Sequence, residues 1–212
     1  MSKIEGIKLE IPDKVVNRLT MYHFILEDIR DDEQYISSTR FAALLGIDNS
    51  QVRKDLKYLD NQGKCRVGYE VKQLKRKIEE YLGFKQTKNA FIVGAGNFGT
   101  ALARYDGFKD YGLNITAIFD KDIKKIGTII NGKEIFDISK VGNLASKQGV
   151  EIAILTVPRE YAQGVANYLA GAGIKYIWNF TTCVLDLPKD VKVWNENLIG
   201  SFLQFTNKDK EN

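Results

Sequence analysis

Six consecutive residues have the types and spacing to hold a phosphate. Gly94, Ala95, Gly96, Asn97, Phe98 and Gly99 form a G-x-G-x-x-G run. A short apolar segment, Asn89–Val93, leads directly into it, and a helix-prone segment, Thr100–Tyr105, follows. A second apolar segment, Ile115–Phe119, ends at Asp120, 21 residues after Gly99. Strand, glycine turn, helix and a delayed acid together make the dinucleotide fingerprint. The glycines permit a tight turn and let backbone N–H groups approach a pyrophosphate, whose charge the helix N-terminus favours. Asp120 can accept hydrogen bonds from adenosine ribose hydroxyls and repels a 2′-phosphate, so NAD(H) is expected over NADP(H). The alternative is an α/β domain that kept the turn and lost the ligand.

Two further segments would complete such a site. Ile152–Val157 reads as a strand closed by Pro158, and Ile174–Trp178 as another, with a helix from about Arg159 to Gly171 between them. Thr156, Val157 and Pro158, and likewise Asn179 and Phe180, then fall at strand carboxyl ends, where open parallel sheets bind ligands.

A different chemistry is suggested upstream. Ser50, Gln51, Arg53, Lys54 and Lys57 share the outward side of a short helix whose inner side is Val52, Leu56 and Leu59. Glutamine and arginine can bond base edges in pairs, and lysine meets phosphates. Lys64 and Arg66 follow in a β-prone stretch, KCRVGYEV, read as a hairpin wing. Residues 50–77 carry nine basic and three acidic groups, beside an acidic run at residues 27–33. Such segregation suits a polyanion-facing surface, with a solvated helix face as the alternative.

Other chemistries are poorly supplied. The single histidine, His23, lies outside the glycine-bearing part and reads as a core or interface residue. Cys65 and Cys183 are too far apart, with no second cysteine near either, for a zinc site or a disulfide scaffold. Lys64 and Arg66 flank Cys65, a basic setting that makes oxidation sensing conceivable beside the plainer reading of an incidental thiol. Tyr-x-x-x-Lys pairs occur at Tyr81/Lys85 and Tyr105/Lys109, a spacing expected about once by chance in this composition, and neither lies where dehydrogenase catalysis needs it. The chain is therefore expected not to be an enzyme. An NAD-dependent dehydrogenase with an accessory domain is the competing class.

The elements that must position these residues form two textures. Up to about residue 84 the apolar spacing is helical. Ile11-Pro12 opens a helix bearing Val15, Val16, Leu19, Tyr22, Ile25, Leu26 and Ile29. Ser37 or Ser38 caps a second, which Gly46 stops, and Asp48 or Asn49 caps the third. Two short helices across the G-I-D-N turn make a helix-turn-helix, and a fourth, Lys72–Leu82, ends at Gly83. Met21, Tyr22, Phe24 and Phe41 read as core. Residues 1–84 are thus expected to be a winged helix-turn-helix domain. Residues 85–195 are expected to be a Rossmann-like α/β domain with a parallel sheet. Residues 196–212 are expected to be an apolar terminal helix with Leu198, Ile199, Phe202, Leu203 and Phe205, which packs on its own domain or exchanges into a partner subunit.

Composition agrees with a folded protein of one or two domains: 212 residues, 44% hydrophobic, 27% charged, three prolines. No apolar run reaches the ~20 residues that span a bilayer, the first residues lack a signal-peptide core, and a cytoplasmic location is expected.

These pieces, in this order, resemble the Rex family of redox-sensing transcriptional repressors. The resemblance runs from about Ile11 to Leu203. It is carried by Ser37-Ser38, LGID and QVRKDL (Leu45–Leu56), GYEV (Gly68–Val71), VGAGNFGTAL (Val93–Leu102), YDGF (Tyr105–Phe108), FDKDIKKIG (Phe119–Gly127), ILTVP (Ile154–Pro158) and the NF of Asn179-Phe180. It implies a homodimer with an exchanged C-terminal helix, released from palindromic operator DNA when NADH replaces NAD⁺. It further implies Gln51, Arg53 and Lys54 on DNA, and Gly94, Gly96, Asn97, Phe98, Gly99, Asp120, Lys125, Val157 and Pro158 on the dinucleotide. Tyr105 would lie near the nicotinamide and the opposite subunit.

The chain departs from that family at two switch positions. Phe24 stands where many members carry arginine, and Asn197 where many carry aspartate. Losing one charge alone would strand its partner near a buried interface; losing both is self-consistent and implies a switch wired differently. Glu196 could replace the missing carboxylate only by a register shift. A repressor of the same architecture with an altered or lost dinucleotide response is the alternative.

Overall fold

A computed structural model of the chain describes residues 12–60 and 63–207. The chain separates into two compact units, Met1–Gln86 and Thr87–Asn212.

Among its described residues the first unit has four helices and a two-stranded ribbon. Helix α1 (Asp13–Glu27) starts after Pro12, whose missing N–H costs nothing at a helix start. Ile11, expected to open it, lies outside the described residues. Ser37 caps α2 (Ser38–Leu45) by accepting from the Arg40 N–H, and Gly46 ends it in the left-handed region. Asp48 caps α3 (Asn49–Lys57). Helix α4 (Val71–Leu82) stops at Gly83, again left-handed. Leu19, Tyr22, Phe41, Val52, Leu56, Leu74 and Ile78 are fully buried together.

Three expectations need correction here. Met21 and Phe24 are exposed, because the buried positions of α1 are 15, 19, 22, 23 and 26, and residues 21 and 24 fall on the opposite side. The hairpin wing shrinks to a single Lys64–Gly68 bridge around a tight turn. The strand after it, β2 (Tyr69–Glu70), pairs antiparallel with β1 (Tyr35–Ile36), which precedes α2 and carried no strand signal beyond two residues. Gly68 cannot be replaced: its φ is +107°, and a Cβ would lie 2.4 Å from the Ile36 carbonyl oxygen.

The second unit is a twisted sheet with helices around it. Its strands are β3 (Lys88–Val93), β4 (Leu113–Asp120), β5 (Ile129–Ile130), β6 (Lys133–Asp137), β7 (Ile152–Leu155), β8 (Tyr176–Asn179) and β9 (Lys192–Asn195), in the order β5-β6-β4-β3-β7-β8-β9. All neighbours are parallel except β5 and β6. Without that hairpin the order is the doubly wound one, reversing direction between β3 and β7. The hairpin turns at Asn131-Gly132, both with positive φ, an Asn-Gly turn that the sequence reading passed over. Helices α5 (Asn97–Arg104), α6 (Val141–Gln148) and α7 (Arg159–Gly171) cover the sheet, and α8 (Leu198–Asn207) ends the described chain. Helix α5 starts three residues earlier than expected, immediately after Gly96. Strand β8 starts two later, because Gly173 and Ile174 first close off α7.

Candidate functional sites

The glycine run sits at the reversal point of the sheet, between the carboxyl ends of β3, β4 and β7. Gly94 has φ +108°, and a Cβ there would meet the Thr156 backbone at 2.9 Å. At Gly99 a Cβ would stand 1.9 Å from the Gly94 carbonyl oxygen, so glycine alone lets α5 pack this close to β3. Gly96 is different: nothing in the protein lies within 4 Å of the place its Cβ would take. It caps α5 without a side chain, leaving the first-turn amides without a side-chain acceptor. The fold demands glycine at 94 and 99, and nothing in it demands glycine at 96.

Asp120 closes the turn. Its carboxylate accepts from the Ala95 N–H (2.8 Å), the Asp122 N–H (3.0 Å) and Lys125 Nζ (3.2 Å). Burial by itself would raise this carboxyl, but the two amides and the lysine outweigh it and hold it below the usual carboxylate range. Three donors leave at least one lone pair for a ribose hydroxyl. Thr156 Oγ1 donates towards the Val93 and Gly94 carbonyls, joining β7 to the turn.

Together these residues wall a cavity of about 1010 Å³. Gly94, Gly96, Asn97, Phe98, Asp120, Lys125, Thr156, Val157 and Pro158 all line it. Ala95 and Gly99 shape the turn from behind without lining the cavity. Asn179 does not reach it: it is fully buried, donating to the Cys183 carbonyl and Asn195 Oδ1 and accepting from the Thr181 N–H and hydroxyl. Phe180 stacks on Phe98 from outside the lining, and Tyr105 is largely exposed, edge-on to Phe108. Sequence reading missed Lys121 and Tyr161, which face each other at the cavity with Lys121 Nζ 3.5 Å from the ring centroid. The FDKDIKK run contains that lysine but no cue to its aromatic partner. An open glycine, an acid at the ribose distance in sequence and a cavity at the upper end of the usual ~300–1,000 Å³ fit a dinucleotide.

The first unit presents the basic helix as expected, with Ser50, Arg53, Lys54 and Lys57 exposed on α3. Gln51 is turned inward: its amide donates to Asp55 Oδ1 at 2.8 Å. The reason is Asp55, a fully buried carboxylate unnoticed in the sequence. Arg18 reaches it through Nε and Nη2 at 2.6 and 2.7 Å, and the Tyr22 hydroxyl donates to it at 2.7 Å. Burial pushes the Asp55 carboxyl up, and the bonds from Arg18, Tyr22 and Gln51 pull it further down, to below its ordinary value. In the wing turn, Arg66 is exposed at φ +62°, whereas Lys64 donates to the Tyr35 hydroxyl at 2.9 Å. Cys65 is exposed in the same turn and Cys183 half-buried. His23 is buried against Phe84, with Nε2 3.2 Å from Glu79.

The two switch positions also have definite places. Asn197 Oδ1 accepts from the Gly200 N–H at 2.8 Å and caps α8, and Phe24 lies on the exposed side of α1. No register shift brings Glu196 to the Asn197 position: Glu196 instead accepts from the indoles of Trp178 (2.8 Å) and Trp194 (3.0 Å). No residue of α8 is buried, and Phe202 is 61% exposed. No helix among the described residues is long and apolar enough to cross a membrane, and they hold no His, Cys, Asp and Glu cluster suited to a metal.

Comparison with known proteins places both units. The family model described as "CoA binding domain" matches residues 85–183, and that described as "Putative DNA-binding protein N-terminus" matches residues 10–57. The chain is 44% identical to the redox-sensing transcriptional repressor Rex of Treponema denticola, over 88% of this chain and 90% of the relative. It is 41% identical to the Rex repressor of Desulfitobacterium hafniense, over 90% and 91%. Among solved structures it is similar to RSP in complex with β-NAD⁺ and operator DNA, at 35% identity and a TM-score of 0.87, covering 96% of this chain and 94% of that one. It is similar also to RSP in complex with β-NADH, at 35% identity and a TM-score of 0.85, covering 96% of each.

Proposed function

The chain belongs to the Rex family of redox-sensing transcriptional repressors, and on that premise we propose that it is a cytoplasmic DNA-binding repressor that reads the NADH/NAD⁺ ratio without catalysing a reaction. The observation that carries this reading is Gly96, where the fold leaves room that no protein atom uses, beside an acid already aligned by the turn. Gly94–Gly99, Asp120, Lys125 and Thr156–Pro158 hold the dinucleotide; Tyr105, Asn179 and Phe180 support its surroundings. Arg53, Lys54, Lys57 and Ser50 meet operator DNA, with Lys64 and Arg66 on the adjoining backbone. Gln51 contributes to base reading only if it leaves Asp55.

Helix α8 supports a homodimer. A ten-residue helix bearing five exposed large apolar side chains is covered by a second copy, into which it exchanges. Two recognition helices then address palindromic half-sites about one helical turn, roughly 34–36 Å, apart or a multiple of it. NAD⁺ and NADH bias different dimer geometries, and a change between those geometries spoils the fit to DNA.

The test is fluorescence-anisotropy binding, at fixed salt, to a duplex selected from a random pool by the wild-type chain. NADH releases the duplex and NADPH does not. Indifference to NAD⁺, NADH and NADPH alike would reassign the effector, and turnover of NADH with a small carbonyl compound would revive a dehydrogenase.

A further inference from the structure

The cavity wall and the start of α8 are joined by a continuous chain of side chains. Phe98 lines the cavity from the first turn of α5. Its ring packs on Phe180 (centroids 5.1 Å apart), and Phe180 on Trp178 (4.8 Å). The Trp178 indole donates to Glu196 Oε1, and the Trp194 indole donates to the same oxygen. Trp178 and Trp194 are register partners on β8 and β9, so the carboxylate spans two neighbouring strands. The Glu196 N–H is itself tied to the Asn179 carbonyl at 2.8 Å, and the next residue, Asn197, caps α8.

The middle of the chain is the most confined: Trp178, Phe180 and Glu196 are half-buried, whereas Phe98 and Trp194 each keep an open side. Aromatic rings in contact pass a displacement to their neighbours through their preferred tilted geometry. Charge-assisted bonds from two indoles to one oxygen fix that oxygen in direction as well as distance. A ligand that moves Phe98 therefore moves the Trp178 indole, and the shared acceptor passes this on to the residue that starts α8.

Resting on the dinucleotide reading above, we propose that Glu196 is a positioning residue. Clamped by Trp178 and Trp194, it transmits occupancy of the cavity to α8 without touching the ligand. It supplies in this chain a ligand-to-helix connection built from a carboxylate and two indoles.

The test uses the full chain with NADH as probe, in wild type, Glu196→Gln and Glu196→Leu. Glutamine keeps a carbonyl acceptor for both indoles and leucine keeps none. Binding is read by calorimetry, and the state of α8 by hydrogen–deuterium exchange of residues 198–207. NADH is expected to change α8 exchange in wild type and Glu196→Gln. In Glu196→Leu, NADH still binds with wild-type affinity while the exchange change falls by about fivefold or more, the low end of allosteric coupling. The proposal is overturned if Glu196→Leu keeps the full response. It is equally overturned if NADH binds wild type without affecting α8, or if both variants lose NADH binding, which would make Glu196 a prop of the cavity. A wild type that binds NADH and changes α8, yet keeps its DNA, refutes the repressor reading and leaves this connection standing. A wild type that does not bind NADH refutes both.

Discussion

Arg18 grips Asp55 with two parallel hydrogen bonds, Nε to Oδ2 at 2.6 Å and Nη2 to Oδ1 at 2.7 Å. The pair bolts α1 to α3, so the helix that offers Arg53 and Lys54 is oriented by a partly buried ion pair, its carboxylate end enclosed, as well as by its apolar side. Both carboxylate oxygens are further satisfied, by Tyr22 and Gln51, which is what makes a buried charge tolerable. Arg18→Leu is expected to strand the carboxylate and destabilise the first unit by about 3–5 kcal/mol. Thermal melting followed by circular dichroism checks this, and a melting point equal to wild type would show the pair to be dispensable.

The same carboxylate makes stability depend on acid. Asp55 has a native pKa below its unfolded value of about 4, so it binds protons less readily folded than unfolded. Its contribution is complete at neutral pH, begins to fade as the pH falls to roughly 4, and is gone once the pH passes below the native value. Urea midpoints measured from pH 7 down to pH 3 should fall, and Asp55→Asn should flatten part of that fall.

The glycines of the turn separate fold from ligand. Gly99→Ala puts a methyl 1.9 Å from a carbonyl oxygen and is expected to lower the melting temperature markedly. Gly96→Ala meets nothing, so its melting point should stay near wild type while NADH affinity drops by about tenfold or more, as the backbone can no longer approach the pyrophosphate. Calorimetry beside melting reads both. Equal NADH affinity in Gly96→Ala would place the pyrophosphate elsewhere.

Recognition and sensing should come apart by mutation. Arg53→Ala is expected to cost about 1–3 kcal/mol of operator affinity and leave NADH binding unchanged, because its side chain is exposed on α3 and is not among the residues lining the cavity. Asp120→Ala should do the reverse, weakening NADH by loss of both the ribose acceptor and the anchor of Ala95. Anisotropy and calorimetry on the two variants measure the four affinities; joint loss in either variant would mean misfolding.

The exposed side of α8 gives a simple assay of assembly. Phe202→Asp is expected to convert a dimer to a monomer in sedimentation velocity, since a carboxylate cannot be buried unpaired in an apolar interface. An unchanged sedimentation coefficient would assign the apolar side of α8 another cover.

What the sequence determined by itself is local. Ser37, Asp48, Gly46 and Gly83 announce helix ends through their own backbone chemistry, and each does so in the structure. The glycine turn followed at the right interval by Asp120 announces the phosphate loop, because that signature is written within one strand–turn–helix. Contacts across distant segments were decided by tertiary structure. Asp55 became a buried hub because α1 brings Arg18 and Tyr22 to it from 37 and 33 residues away, and Gln51 was drawn inward with it. Asn179 is spent on the chain's own polar groups rather than on the cavity because β8 is enclosed between β7 and β9. Glu196 found two indoles because β8 and β9 pair in the register that sets Trp178 beside Trp194. Caps and turns depend on neighbours a few residues away, whereas the partner of a buried charge or an indole is fixed only when the strands and helices pack.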